Sequence, residues 1–161
     1  MNGQLTVRPA TPFDVWFTHH CGNDPVSRSM SLGGKPIPRD THQEWYRKKL
    51  AQPSSYFFIA MLEGARIGII RLQPDQYFGS DCLEIAVTLA PEFRGLGLGA
   101  NVMIVALAEL PKGVRVVASI KEENTASIRM VLRVGFQFDV ETTRPGCVIY
   151  RWDSSCRPPA R

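Results

Sequence analysis

Arg94-Gly95-Leu96-Gly97-Leu98-Gly99-Ala100 sets three glycines within five residues, after the apolar run Leu83 to Ala90 and before an apolar run unbroken until Pro111. Where a strand gives way to a helix, such glycines let the backbone turn tightly and remove the Cβ atoms that keep a ligand off the main chain. A helix starting there aims its first four unpaired N–H groups, and the positive end of its dipole, into the turn. The chemistry this offers is anion binding, with Arg94 adding a fixed positive charge beside the amides. A phosphate or pyrophosphate is the expected guest. A carboxylate, Glu84, lies on the strand just before, between Leu83 and Ile85. If those two face the core, strand alternation turns Glu84 to the opposite face, toward a cleft. The competing reading is an exposed, salt-bridging Glu, since glutamate is seldom fully buried.

The loop is not a Walker loop, which ends in Gly-Lys-Ser/Thr. Its Gly-x-Gly-x-Gly spacing also departs from the Gly-x-Gly-x-x-Gly of dinucleotide folds. Cys21, Cys82, Cys147 and Cys156 make no Cys-x-x-Cys pair and no His/Cys cluster, so neither a metal site nor a disulfide framework is expected. Net charge is +4, but the basic residues are scattered without a run interleaved with aromatics, so nucleic acid is not the expected partner. A mild positive balance suits an anionic small molecule, or no particular ligand at all. The opening MNGQLTVRPA lacks the charged and apolar regions of a signal peptide. No apolar run reaches the roughly 18 residues that cross a bilayer. A cytoplasmic protein with no membrane partner is the default expectation.

At 161 residues, 44% of them hydrophobic, the chain fits one domain, expected over 4–153, with 154–161 as a flexible tail. Gln4 to Arg8 predicts a first strand. Thr11-Pro12-Phe13-Asp14 predicts a helix start, the helix running to about His20 with Phe13, Trp16 and Phe17 on one face. Residues 21–40, rich in Pro and Gly, read as a long irregular segment, functional or merely connecting. Thr41-His42-Gln43-Glu44 reads as a capping box opening a helix with Trp45 and Leu50 inward. Tyr56 to Leu62 and Arg66 to Leu72 read as a hairpin about Glu63-Gly64. Gly79-Ser80-Asp81 reads as a turn into a strand over Cys82 to Ala90. Gly113 to Ile120 is a further strand, and Asn124 to Val134 a helix with Ile128, Val131 and Leu132 at helical spacing. Gly135 ends that helix. A strand follows Gly135-Phe136, and Cys147 to Trp152 is the last. The order is β-α-α-β-β-β-α-β-α-β-β.

Arg94, Gly97 and Gly99-Ala100 fit an Arg-x-x-Gly-x-Gly/Ala pattern that resembles the GCN5-related N-acetyltransferases. Glu123-Asn124-Thr125-Ala126-Ser127-Ile128, continuing to Gly135-Phe136, resembles the second signature of that family, in the right order and separation. The resemblance covers nearly the whole chain. It implies an α+β, single-domain acyl-CoA N-acyltransferase fold: a mixed, mostly antiparallel sheet with four helices, its strands 4 and 5 splayed around the acyl-CoA. It further implies acetyl-CoA as co-substrate and a small-molecule amine as acceptor. Val87, Thr88 and Leu89 would offer backbone groups to the pantetheine arm. Arg94, Gly95, Leu96, Gly97, Leu98, Gly99 and Ala100 would wrap the pyrophosphate. Asn124 and Ser127 would hydrogen-bond the cofactor near its pantetheine-phosphate end, although Asn124 also reads as a plain N-cap.

The catalytic pattern is incomplete. Acetyl transfer needs a neutral amine, hence a base, and a proton for the departing thiolate. The Tyr that often supplies that proton falls at Val131 here, and a Glu sometimes used as base falls at Ser119. A thiolate with a pKa of about 8.5 can leave without help. Glu84 is the remaining base candidate, with Tyr150 and His42 behind it. Asn23-Asp24-Pro25-Val26-Ser27-Arg28-Ser29, with Ile37, His42 and Trp45-Tyr46, resembles acetyltransferases acting on nucleotide-linked amino sugars, such as those of pseudaminic acid synthesis. That comparison makes Asn23, Arg28, His42 and Arg71 candidate acceptor contacts. Protein, aminoglycoside or polyamine acetylation and a non-catalytic acyl-CoA-binding module stay open alternatives, as does a homodimer.

Overall fold

Tyr56–Leu62 and Ala65–Pro74 pair as antiparallel strands β2 and β3. The Glu63-Gly64 turn between them holds both residues at positive φ, 50° and 83°. That is the geometry that matches a two-residue turn to the twist of its strands. They are part of a sheet in a computed structural model that describes residues 3–31, 33–75, 82–142 and 144–153. The other strands are β1 (Leu5–Pro9), β4 (Cys82–Leu89), β5 (Arg115–Lys121), β6 (Gln137–Phe138) and β7 (Cys147–Asp153). Their order across the sheet is β1-β2-β3-β4-β5-β7-β6. Every described pairing is antiparallel except β4 with β5. The helices are α1 (Val15–Asn23), α2 (Pro25–Met30), α3 (Arg39–Leu50), α4 (Leu98–Ala108) and α5 (Thr125–Val134). None of them is long and apolar enough to cross a membrane.

Strand alternation sorts the core into two layers. Phe58, Ile70, Leu72, Leu83, Ile85 and Val116 meet Val102, Met103 and Leu107 of α4 and Val131 and Val134 of α5 on one face. Ile59 and Ile69 meet Cys21 and Phe17 of α1 on the other. Arg71, Gln73 and Glu84 share that second face by register, Gln73 standing opposite Glu84.

The expected pattern needs several corrections. There are five α-helices among the described residues rather than four, because the first half of 21–40 is helical: α1 runs on to Asn23 and α2 follows at once, while 33–38 keep the expected irregular path. The reason is local. Asp24 accepts hydrogen bonds from the amides of Val26 and Ser27, and Pro25 takes the first helical position. Helix α3 starts two residues before the expected cap Thr41, with the amide of His42 already bonded to the Pro38 carbonyl. Its buried residues are His42 and Tyr46; Trp45 and Leu50 are half-buried. Phe13 is 92% exposed and Trp16 partly so, leaving Phe17 as the inward member of that trio. Leu132 of α5 also faces outward. The expected turn at 79–81 and the expected tail at 154–161 lie outside the described residues.

Asp14 fastens the first elements together. Its buried carboxylate accepts from both terminal nitrogens of Arg8 at 2.8 Å, from the Thr11 amide at 2.9 Å and from Arg66 at 3.3 Å. Burial alone would raise its pKa, but the bonds from Arg8 and Thr11 and the Arg8 charge hold it well below the usual carboxylate range. Its contribution to stability is therefore complete above the unfolded pKa of about 3.9 and is lost as pH falls below that value toward the folded pKa. Asp14→Asn is expected to lower unfolding free energy at pH 7 by about 2 kcal/mol. Urea titrations of the variant should also show a shallower loss of stability below about pH 4 than the parent.

Candidate active site

The β4–β5 ladder consists of Cys82 with Arg115, Leu83 with Val116 and Glu84 with Val117, then stops. Strand β4 continues to Leu89 and β5 to Lys121, each held by its other neighbour, β3 or β7. The two limbs part in a V, as the sequence comparison implied, and a cleft of about 690 Å³ fills it. Val87, Thr88 and Leu89 form one limb of the lining; the carbonyl of Leu89 is already taken by Arg94. The other limb carries Ala118, Ser119, Ile120 and Lys121.

At one end lies the glycine turn. Gly95 and Gly97 have φ of 74° and 73°, the left-handed region that L side chains rarely adopt, and Gly97 is the N-cap of α4. A Cβ at either would meet no atom within 4 Å, so backbone conformation, not crowding, demands glycine there. Among the described residues, none accepts a hydrogen bond from the amides of Gly95, Leu96 or Gly97. With the first-turn amides of α4 they make an open anion nest. Gly99 differs: its φ is not positive, and a Cβ there would come within 2.7 Å of Met130 Sδ, the outer part of a flexible side chain of α5. Leu98 and Ala100 line the cleft, whereas Leu96 is 64% exposed and does not. Asn124 and Ser127 line the opposite wall, the Asn124 side chain capping α5 by accepting from the Ser127 amide at 3.1 Å.

Arg94 departs from expectation. Its guanidinium does not point into the nest. It donates to both carboxylate oxygens of Asp24 at 2.8 and 2.6 Å, to Ser27 Oγ at 2.8 Å and to the Leu89 carbonyl at 3.0 Å. A bidentate carboxylate 70 positions away satisfies the fork better than an open turn does.

At the other end Glu84 faces the cleft, half-buried, as alternation requires. Its Oε1 accepts from Arg144 Nη1 at 2.8 Å; the same nitrogen lies 3.4 Å from Ser119 Oγ and 3.7 Å from Asp75. Burial raises its pKa, outweighing the lowering by Ser119 and Arg144. Nearby, the Arg71 guanidinium sits over the Trp45 ring, 5.1 Å from its centroid. Among the described residues no carboxylate or carbonyl accepts a hydrogen bond from Arg71. Arg144, Asp75 and Gln73 were not foreseen: Arg144 lies 60 positions beyond Glu84, and no periodicity or motif marks it.

The remaining candidates are elsewhere. Asn23 ties α1 to Ile37 through that residue's amide and carbonyl, at 2.6 and 3.2 Å. Arg28 donates to the Lys35 carbonyl at 2.7 Å. His42 is buried between α1 and α3, its Nε2 2.9 Å from Thr18 Oγ1 and 3.0 Å from the Val15 carbonyl. Burial pushes its pKa down to about 4, so it is neutral at pH 7. Tyr150 belongs to the apolar core. None of these four lines the cleft.

The described lining carries one carboxylate, Glu84, against Arg71, Arg94, Lys121, Arg129, Arg133 and Arg144. Residues 4–137 match the domain model described as the acetyltransferase (GNAT) domain. No curated protein matches the sequence. Among solved structures, the aminoglycoside acetyltransferase AAC(6')-Ib in complex with ribostamycin and coenzyme A superposes with a TM-score of 0.80 at 21% identity, over 95% of each chain. Spermidine N-acetyltransferase from Vibrio cholerae, in complex with CoA and spermine, gives 0.72 at 20% identity, over 92% of this chain and 93% of its own. An uncharacterized protein from Bacillus halodurans gives 0.83 at 17% identity, over 96% and 86%. At such identities the likeness is one of fold.

Proposed function

This chain belongs to the GNAT acetyltransferase family, and from that premise we propose that it acetylates the primary amine of a small acceptor bearing its own anionic group, such as a UDP-linked amino sugar. It is an acetyl-CoA-dependent N-acetyltransferase. Acetyl-CoA supplies the thioester carbon that the amine attacks. The nest of Gly95 to Ala100 suits the pyrophosphate, since the amides of Gly95, Leu96 and Gly97 have no acceptor among the described residues and the glycine conformations leave the main chain bare. The unpaired edge of β4 at Val87 and Thr88 suits an extended pantetheine arm, while Asn124 and Ser127 border the opposite side. Glu84 takes the amine proton, directly or through a water, and Arg144 holds its carboxylate in place.

The charge of the cleft carries the reading of the acceptor. Ribostamycin and spermine, bound in two of the similar structures, are polycations. A polycation would face a described lining with one carboxylate, already paired with Arg144. An anionic acceptor meets Arg71, a planar donor fork beside Glu84 with no protein acceptor of its own among the described residues. Labelled acetyl-CoA offered with UDP-4-amino sugars, kanamycin and spermidine separates the classes, and turnover confined to the last two rejects the anionic acceptor. On the anionic acceptor, Arg71→Gln is expected to raise KM about tenfold to a hundredfold, the loss of one charge-assisted contact, with kcat within about threefold of the parent.

A further inference from the structure

The guanidinium of Arg94 spends its three nitrogens inside the protein, and what they hold is helix α2. Nε and Nη2 close on the Leu89 carbonyl, which anchors the short turn Pro91–Phe93 between β4 and the nest. Nη1 and Nη2 grip Asp24, the residue that caps α2, and Nη2 also reaches Ser27 in its first turn. On the far side of the gap, Lys121 Nζ at the end of β5 donates to the Ser29 carbonyl of the same helix at 2.9 Å. Leu89 and Lys121 are the free ends of the two strands that part after Glu84 and Val117. Helix α2 therefore spans the mouth of the V, fastened to both limbs, and Val26, Ser27, Met30 and Ser31 form the cleft wall between the fastenings. A helix of six residues has no stability of its own, so these bonds decide where it lies.

We propose that Asp24 is a positioning residue for acetyl-CoA: it latches Arg94, which fixes both the backbone entering the anion nest and the strap α2 across the gap. Arg94 then serves the pyrophosphate through the main chain alone. The proposal rests on the nest being the pyrophosphate seat and adds to it the opposite sign of effect from a direct phosphate ligand. If Arg94 touched phosphate itself, removing its competitor Asp24 would leave CoA binding unchanged or tighten it. If Arg94 is a latch, the same change weakens binding.

The test is calorimetric titration of CoA into the parent, Asp24→Asn, Arg94→Gln and the double variant, with the melting temperature of each measured without CoA. Asparagine caps helices as well as aspartate, so Asp24→Asn removes the ion pair and keeps α2 capped. Either single change is expected to raise the CoA Kd about tenfold, the worth of one charge-assisted contact, and the double variant to be no worse than Arg94→Gln alone. That non-additivity in CoA affinity is not a consequence of general destabilisation. Unchanged or tighter binding by Asp24→Asn, or effects that simply add, overturns the latch while leaving the cleft assignment intact. A parent protein that does not bind CoA overturns the assignment itself, and the latch with it. Should Asp24→Asn not fold, Ser27→Ala, which removes one acceptor of Arg94, decides by the same sign.

Discussion

Glu84→Gln is expected to lower kcat by about a hundredfold to a thousandfold, with the Kd of CoA unchanged. Gln keeps the shape of Glu and an oxygen that accepts from Arg144, so the change removes basicity and little else. The amine must lose its proton as the new bond forms, and Glu84 is the one carboxylate among the described residues lining the cleft. The sign of the pH dependence follows. A base works when ionised, so kcat/KM rises as pH climbs through the pKa of Glu84. Burial raises that pKa above the ordinary 4.5, and the acid limb of the parent should lie higher than a free carboxylate would place it. In Glu84→Gln that limb should be gone, leaving only the titration of the acceptor amine. A variant with kcat within about threefold of the parent and the limb intact would mean that solvent takes the proton.

The leaving group needs less. Val131 stands where a hydroxyl is often found and is buried in the core, and no tyrosine is among the described residues lining the cleft. A thiolate with a pKa of about 8.5 departs without a dedicated acid.

What could be read from the sequence was what short-range chemistry determines. Gly95 and Gly97 announce positive φ because no other residue adopts it at low cost, and Glu84 announces its direction because Leu83 and Ile85 flank it. What could not be read was which partner a polar side chain finds across the fold. Arg94 reads as a phosphate ligand until Asp24, 70 positions earlier, arrives beside it. Asn23, Arg28 and His42 read as acceptor contacts because their stretch resembles that of acetyltransferases acting on nucleotide-linked amino sugars. Three-dimensionally they bind Ile37, Lys35, Thr18 and Val15, tying α1 to α3 and shaping the connection between α2 and α3. The Asp24-Pro25 pair was a legible helix start that the surrounding prolines and glycines obscured. Arg144 carried no local signal at all; only folding brings it to Glu84.

Gly97→Val is expected to raise the Kd of CoA about a hundredfold, as two amide contacts to the pyrophosphate are lost. The space would admit the side chain, since a Cβ at Gly97 meets nothing within 4 Å. The obstacle is the backbone: φ of 73° is poorly tolerated by an L residue, least of all a β-branched one. Relaxing that angle rotates the flanking peptides, and the amides of Leu96 to Leu98 no longer converge. Stability alone is expected to fall by about 1–2 kcal/mol, the cost of one residue in the left-handed region. Gly64→Val supplies the control, because Gly64 has φ of 83° in the β2–β3 turn and no part in the cleft lining. The two variants should lose similar stability in urea titrations while only Gly97→Val loses CoA. If both bind CoA as the parent does, the pyrophosphate does not sit on these amides, and the positive φ at Gly97 serves only to start α4.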